Sequence, residues 1–483
     1  MAISKRLRPR RQHGVTAIMF IMSMLGVVVF SGMALDLVLV HHRRQELDLA
    51  ARMVALAAAR QLNGSAAGID NALVRSAEVL AALKYRYGRG TLAWRDDVLS
   101  FGATPDGGWV DTAAAKATPA GLLFVRADTA GLDASAGSVT LYIVSLLFPS
   151  LRSVTVATTA VAGRTGIDVM PLAVCAMSEV AGAARTNPGP PATVELVEYG
   201  FRRGVGYDLM QLNPHGVDPA NFVIHPFRRP GAAVTPLPSV DSLGPHVCTG
   251  QLAITTVFGG PLTVAGPFPL SSTFRQLNSR FNQYENNLCT SATAIMDSNP
   301  KSYARSGGVP WMAATPDQQG ALATTIGGKL HTIADLAAPP AGTQAKMYGP
   351  LWAYARAVRF SAWSAGANEP TAGYPTFGPA DWASLYGPVA PVAKSYPSTT
   401  PYQSTGGANY EQPPLDQLGL AHRRVLNVPL LACPVAAGGP APATVLAIGK
   451  FMMTVPATAT TLYAEFGGLA PEHTLGGPVE LFR

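Results

Sequence analysis

The stretch VTAIMFIMSMLGVVVFSGMALDLVLV, Val15 to Val40, decides how this chain is read. Its 26 residues hold one ionisable side chain, Asp36, near the far end. At 1.5 Å of rise per residue, about 20 apolar residues cross a ~30 Å hydrocarbon core, so the run can span a bilayer as one helix. Upstream stand Lys5, Arg6, Arg8, Arg10 and Arg11, whereas downstream Arg43 and Arg44 are diluted by Glu46 and Asp48. That asymmetry predicts a cytoplasmic segment, 1–14, a transmembrane helix, 15–40, and export of the chain beyond Val40. Asp36, about a turn from the outer interface, is expected to reach water or to pair with Arg43 or His41. A cleaved secretory signal is the competing use, with Gly32-Met33-Ala34 as a small-x-small site. Signal cores usually run only about 7–15 residues, however, and the helical pattern here does not stop at Ala34.

Beyond the apolar run the spacing of Leu47, Ala51, Val54, Ala58 and Leu62 continues the helix, free of Gly and Pro until Asn63-Gly64. The expectation is one helix from Val15 to Leu62, apolar all round in its first half and amphipathic in its second. Such a rod sits in lipid and then lays its Ala-rich face on a protein core or a partner helix.

Charged residues make up 13% of the 483, about half the usual share of a soluble domain, while 48 Gly and 40 Pro are in excess. That balance favours strands joined by many turns. The net charge of +7 looks suited to nucleic acid, but five of the seven charges precede the apolar run. The later pairs Arg202-Arg203, Arg228-Arg229 and Arg423-Arg424 are scattered, and no phosphate-binding surface is expected.

The strings Gln12-His13-Gly14-Val15-Thr16-Ala17-Ile18-Met19-Phe20, Ala34-Leu35-Asp36, Arg44 to Ala51, and Ala55-Leu56-Ala57-Ala58-Ala59 form one N-terminal pattern. It resembles that of the TadE/TadG-like proteins, membrane-anchored, pilin-like components of the tight-adherence (Flp-type) pilus assembly system. Further along, Met170 to Met177, Glu198 to Val205, Leu277 to Phe281 and Arg423 to Leu431 look like the body of TadG-related members. The resemblance implies a non-catalytic assembly component whose partners are the bilayer and other pilus-assembly or pseudopilin subunits, with homo- or hetero-oligomers formed through the N-terminal helix. TadE-type pseudopilins carry Glu five residues after the processing Gly; here that place is Met19, which points to a retained helix. Some TadG-like proteins hold a von Willebrand A metal site built on Asp-x-Ser-x-Ser. The nearest match, Asp133-Ala134-Ser135-Ala136-Gly137, lacks the second Ser, so no metal and no cofactor is expected.

The fold class expected is α+β. Residues 65–90 read as a second helix, with Leu73, Ala77, Leu80 and Leu83 in phase. Short strands come next at Leu92–Phe101, Leu122–Ala127, Val139–Val144 and Val154–Ala162, giving a pilin-like unit over 41–167 in which a small sheet covers the amphipathic half of the first helix. From 168 to 483 a mostly β, loop-rich exported domain is expected, with helices only near 271–287 and 348–360. Residues 364–414 carry nine Pro and seven aromatics and read as a surface loop packed on itself or on a partner.

Cys175, Cys248, Cys289 and Cys433 all fall on the exported side, where disulfides form. Four cysteines allow three connectivities that sequence does not decide. The shared Pro-Leu-x-x-Cys setting of Cys175 and Cys433 favours 175–433 with 248–289. Zinc is the rival use, yet there is no Cys-x-x-Cys, and His246-x-Cys248 stands alone. No Gly-x-Ser-x-Gly elbow or phosphate-cradling loop occurs; Ser306-Gly307-Gly308 and Gly327-Gly328-Lys329 lack the spacing. Two other classes stay open: a surface adhesive or glycan-binding protein, motivated by 364–414, and an exported hydrolase whose catalytic groups are distant in sequence.

Overall fold

The computed structural model describes residues 13–62, 66–88, 90–119, 122–164, 166–187, 189–224, 239–254, 261–284, 288–304, 319–336, 348–367, 369–370, 372–386, 396–436, 440–471, 475–477 and 479–482. The basic residues of 1–12, Arg228-Arg229 and Ser306-Gly307-Gly308 lie outside them. The chain forms two compact units, Met1–Thr165 with Val479–Arg483, and Gly166–Pro478.

In the first unit one helix, α1, runs unbroken over His13–Ala59. A second, α2, covers Ala66–Ala82. Four antiparallel strands form a sheet in the order β1 (Leu99–Gly102), β2 (Phe124–Asp128), β5 (Thr159–Arg164) and Val479–Phe482. The hairpin of β3 (Ser138–Thr140) and β4 (Ser153–Thr155) lies between β2 and β5 in the chain. Leu47, Ala51, Val54, Ala58 and Leu62, the stripe at helical spacing, are all within 1% of full burial. They meet Ile69 and Leu73 of α2 and Phe101, Val125, Ala127 and Ala162 of the sheet in one core. Small residues on the helix let the backbones approach closely. The same logic acts at Gly163, where an added Cβ would stand 2.1 Å from the Phe124 ring.

The sequence assigns residues 168–483 to the exported body, but Val479–Phe482 belongs to the first unit. It pairs along β5 from Val479↔Arg164 to Phe482↔Val161, and Phe482 sets its ring edge against Phe124 at 5.3 Å. Those backbone groups complete the ladder that β2 begins on the other side of β5.

The second unit is strand-rich. Its main sheet runs Gly206–Asp208, Tyr463–Leu469, Ala441–Met453, Pro261–Ala265, Asn221–Ile224, Leu172–Cys175, Val425–Leu431. The last strand also pairs with Ala441–Met453, so five strands close into a ring. The long strand makes this possible because it is 13 residues long and serves different neighbours with its two halves. A separate three-stranded sheet comprises Ala183–Asn187, Thr193–Glu198 and Phe201–Arg202.

Two expectations about helices change. Residues 348–360 are not helical. Gly349 and Trp352 take positive φ, +72° and +60°, and the amides of Ala353, Tyr354 and Ala355 donate to the Glu465 carboxylate instead of to helical carbonyls. Conversely, Val240–Thr249 is a helix despite Pro245. Ser239 caps its start and Gly250, at φ +70°, ends it. The helix expected over 271–287 is the shorter Leu270–Asn278, followed by a single 3-10 turn.

Candidate functional site

The lipid-crossing candidate is the first half of α1; by length and composition, Thr16–Ala59 contains a stretch able to cross a membrane. Ile18, Met19, Phe20, Ile21, Leu25, Val28, Leu35, Leu37 and Val38 are all more than half exposed, as expected of side chains whose solvent is not the protein. Gly32 and Asp36, one turn apart on one face, are buried. The expectation that Asp36 meets water or pairs with Arg43 or His41 is corrected. Its carboxylate accepts amide N–H bonds from Tyr142 (3.0 Å), Ile143 (2.8 Å) and Val144 (2.8 Å). Three converging amides give a buried carboxylate fuller hydrogen bonding than one side chain can, which is the physical reason for the change. His41 bonds Gln45, while Arg43 lies over the Tyr85 ring at 4.5 Å and beside Glu46 at 3.6 Å. Val40, the expected end of the span, is half-buried. His42 stacks on Tyr87 just beyond it, at 4.2 Å.

In the second unit, Glu198 to Val205 forms a tight hairpin, with Tyr199 and Gly200 at φ +47° and +82°. Both arginines of this string are inside the fold. Arg202 clasps Glu195 through Nε and Nη2 at 2.8–3.1 Å and lies against the rings of Tyr348 and Tyr386, which touch each other. Burial alone would push the Arg202 guanidinium down, but Glu195 more than reverses this and raises it. Arg203 holds both Glu198 and Glu369 at 2.6–2.9 Å. Burial would push the Glu369 carboxyl up, and the Arg203 contact overrides this to hold it down. Among the third string's residues, Arg280 is fully buried and donates to the carbonyls of Arg423 and Leu277. Burial, reinforced by neighbouring Arg423, pushes it far down. The four body strings meet: Leu172–Cys175 runs parallel to Val425–Leu431, Met170 donates to the Asn427 carbonyl, Arg280 reaches Arg423, and Gly200 packs on Met177. They build the interior of the body, and Met177, Gly200 and Arg202 also line one of its clefts.

Two of the open clefts among this unit's described residues carry polar side chains. One, of about 310 Å³, is lined among others by Arg203, Tyr354, Arg356, Glu369, Tyr374 and Tyr396. Its cations are engaged: Arg203 by two carboxylates, Arg356 by the Pro397 carbonyl and the Tyr396 ring. The hydroxyls of Ser398, Thr399 and Thr400 stand in a lining whose described residues include no histidine. The other, of about 470 Å³, holds Arg185, Arg202, His331 and Asp335. Burial pushes the Asp335 carboxyl up to about 6, against hydrogen bonds from the Thr332 amide and hydroxyl. Burial also lowers His331, helped by Lys329 and His215.

The four cysteines form Cys175–Cys433 and Cys248–Cys289. The first staples two parallel strands where Leu431 pairs with Cys175. The second ties Val240–Thr249 to the segment after Leu270–Asn278. No group of three or more His, Cys, Asp or Glu stands close enough to hold a metal among the described residues. Asp133, the residue nearest a metal motif, caps a short turn by accepting from the Ser135 amide at 2.8 Å. Gly327-Gly328 is the turn of a small hairpin, with φ +58° and +78°. In 364–414, Tyr374, Phe377, Trp382 and Tyr386 are buried in the body's core and Tyr396, Tyr402 and Tyr410 are half-buried. Most other described residues of the segment are exposed, as a surface loop packed on itself predicts, while Trp352, Trp382 and Tyr396 pack edge to face at 5.2–6.2 Å and carry its aromatics into the body. No family model, no curated protein and no solved structure matches this chain.

Proposed function

We propose that this chain is a membrane-anchored, non-catalytic structural or assembly component of a tight-adherence (Flp-type) pilus system, of the TadG-like kind. It is held in a bacterial inner membrane by an uncleaved helix, with residues 1–14 cytoplasmic and the body outside. The observation that carries the reading is the continuity of α1: one helix has a lipid-exposed half and, without a break, a half buried on a four-stranded sheet. That arrangement is pilin-like. Two disulfides support an exported body. Its partners are the bilayer and other pilus-assembly or pseudopilin subunits, met through the helix, and nucleic acid is not among them. The adhesive alternative loses its motive, since the large aromatics of 364–414 are turned inward.

Alkaline phosphatase fused after residue 70 should be active in a bacterial host, and a fusion active only as a cytoplasmic reporter overturns the topology. Crosslinking in membranes that express a tight-adherence system should trap other assembly subunits. Recovery of the uncrosslinked monomer alone overturns the assembly role.

A further inference from the structure

The hairpin of β3 and β4 has a long tip, Leu141 to Arg152, reading LYIVSLLFPSLR. Between Leu141 and Leu151 it carries no charged side chain. Tyr142 is 65% exposed, Leu146 76%, Leu147 46%, Phe148 54% and Leu151 51%, a concentration of large apolar groups that a water-facing loop avoids. Two contacts fix the tip to α1. Asp36 takes the amides of Tyr142, Ile143 and Val144, and Ile143 lies over Gly32, where an added Cβ would stand 2.5 Å from its Cγ1.

Those contacts give the tip a depth. Asp36 and Gly32 precede Val40 by four and eight residues, or about 6 and 12 Å of helix rise. The ionisable cluster His41, His42, Arg43 and Arg44 begins only beyond Val40. The tip residues bonded to Asp36 therefore lie level with Leu35, Leu37 and Val38 of the helix, themselves 60–69% exposed, and Val144–Leu147 packs against α1. The backbone is also suited to hydrocarbon. Besides the three amides on Asp36, Leu141 donates to Arg152, Leu146 to Ile143, Phe148 to Val144 and Leu151 to Phe148, while Pro149 has no N–H to satisfy. The Ser145 hydroxyl donates to the Tyr142 carbonyl at 3.0 Å. Each polar group met within the protein in this way lowers the cost of placing irregular backbone against hydrocarbon.

We propose that residues 141–151 are a second membrane-embedded element, a re-entrant tip that lies among the outer-leaflet acyl chains beside α1 and is clamped to the helix by Asp36. The occupant of this surface is lipid, because it is uncharged, apolar and held by Asp36 at the level of the helix's own exposed apolar side chains. The tip fixes the helix's depth and rotation, which a single smooth rod leaves free. The inference rests on the helix spanning the membrane, and its test separates the two.

The full chain, with both disulfides intact, is reconstituted in phosphatidylcholine–phosphatidylglycerol vesicles after Leu147→Cys and labelling with an environment-sensitive fluorophore. Leu25→Cys in the helix and Leu415→Cys on the body are controls. Phe148→Cys repeats the measurement should Leu147→Cys fail to fold. The expected result is quenching at 147 by doxyl-labelled lipid at least twofold stronger than by aqueous iodide, as at 25 and opposite to 415. Adding Asp36→Ala should bring 147 toward the behaviour of 415. Iodide quenching at 147 with lipid quenching at 25 overturns the embedded tip and leaves the anchor standing. Shielding of 147 from both quenchers means that protein covers the tip, and also overturns it. Iodide quenching at 25 overturns the anchor itself.

Discussion

Asp36 Oδ2 stands 2.8 Å from the amide nitrogen of Val144, a residue 108 positions further along the chain. One carboxylate thus closes a loop across most of the first unit. Replacing it by Ala leaves three amides without their acceptor, at a cost of about 1–3 kcal/mol. Trypsin should then cleave after Arg152 about tenfold faster in detergent-solubilised Asp36→Ala than in the parent, as tracked by mass spectrometry of the fragments. Equal rates would show that the clamp holds nothing.

The Glu195–Arg202 pair is within 1% of full burial on both sides. Removing one partner strands the other, so Glu195→Gln should lower stability by about 3–5 kcal/mol. Replacing both with apolar residues, Glu195→Leu with Arg202→Met, should recover at least half of that loss. Urea unfolding monitored by tryptophan fluorescence compares the two.

Burial pushes the Glu465 carboxyl up to about 8, even with three backbone amides opposing it. An unfolded glutamate titrates near 4.5, so between these values the folded chain holds a proton that the unfolded chain has lost. The contribution is therefore fully present at low pH, falls as pH rises from about 4.5 to about 8, and is flat above. Melting temperature measured from pH 5 to 9 should show this fall. Glu465→Gln, which does not titrate, should flatten it while lowering stability throughout, because its amide faces the Ala353 N–H.

The two disulfides close chain segments of very different length, with sequence separations of 258 and 41. Loop-closure entropy grows only with the logarithm of length, so removing Cys175–Cys433 should cost about 1.5 kcal/mol more than removing Cys248–Cys289. Paired Cys→Ala variants, compared by denaturant midpoint, check the order. A reversed order would mean that local strain or packing decides.

What could be read in the sequence was what repeats locally. The stripe Leu47, Ala51, Val54, Ala58 and Leu62 announced a helix face, and all five are buried. Asp36 misled because the amides it needs come from Tyr142, Ile143 and Val144, a separation no periodicity records. Residues 348–360 misled for the same reason: Glu465, from a distant strand, takes the amides that a helix would use internally. The helix at Val240–Thr249 was hidden by Gly244 and Pro245, although Ser239 and Gly250 were its end signals. Trp382 and Tyr386 looked like surface aromatics because proline surrounds them, and the core they enter is assembled from strands far away in sequence. Of the candidate site, the apolar run was legible and the tip packed beside it was not.

The pairing of Val479 with Arg164 has a mechanical consequence. The second unit leaves the first after β5 and returns at the very next rung of the same ladder, so a load on the body reaches the anchor at the end of one antiparallel pair. There Val479 to Phe482 stands at the edge of the sheet, paired with β5. Both chain crossings between the units therefore hang on β5, one as its direct continuation and the other through that single ladder of hydrogen bonds.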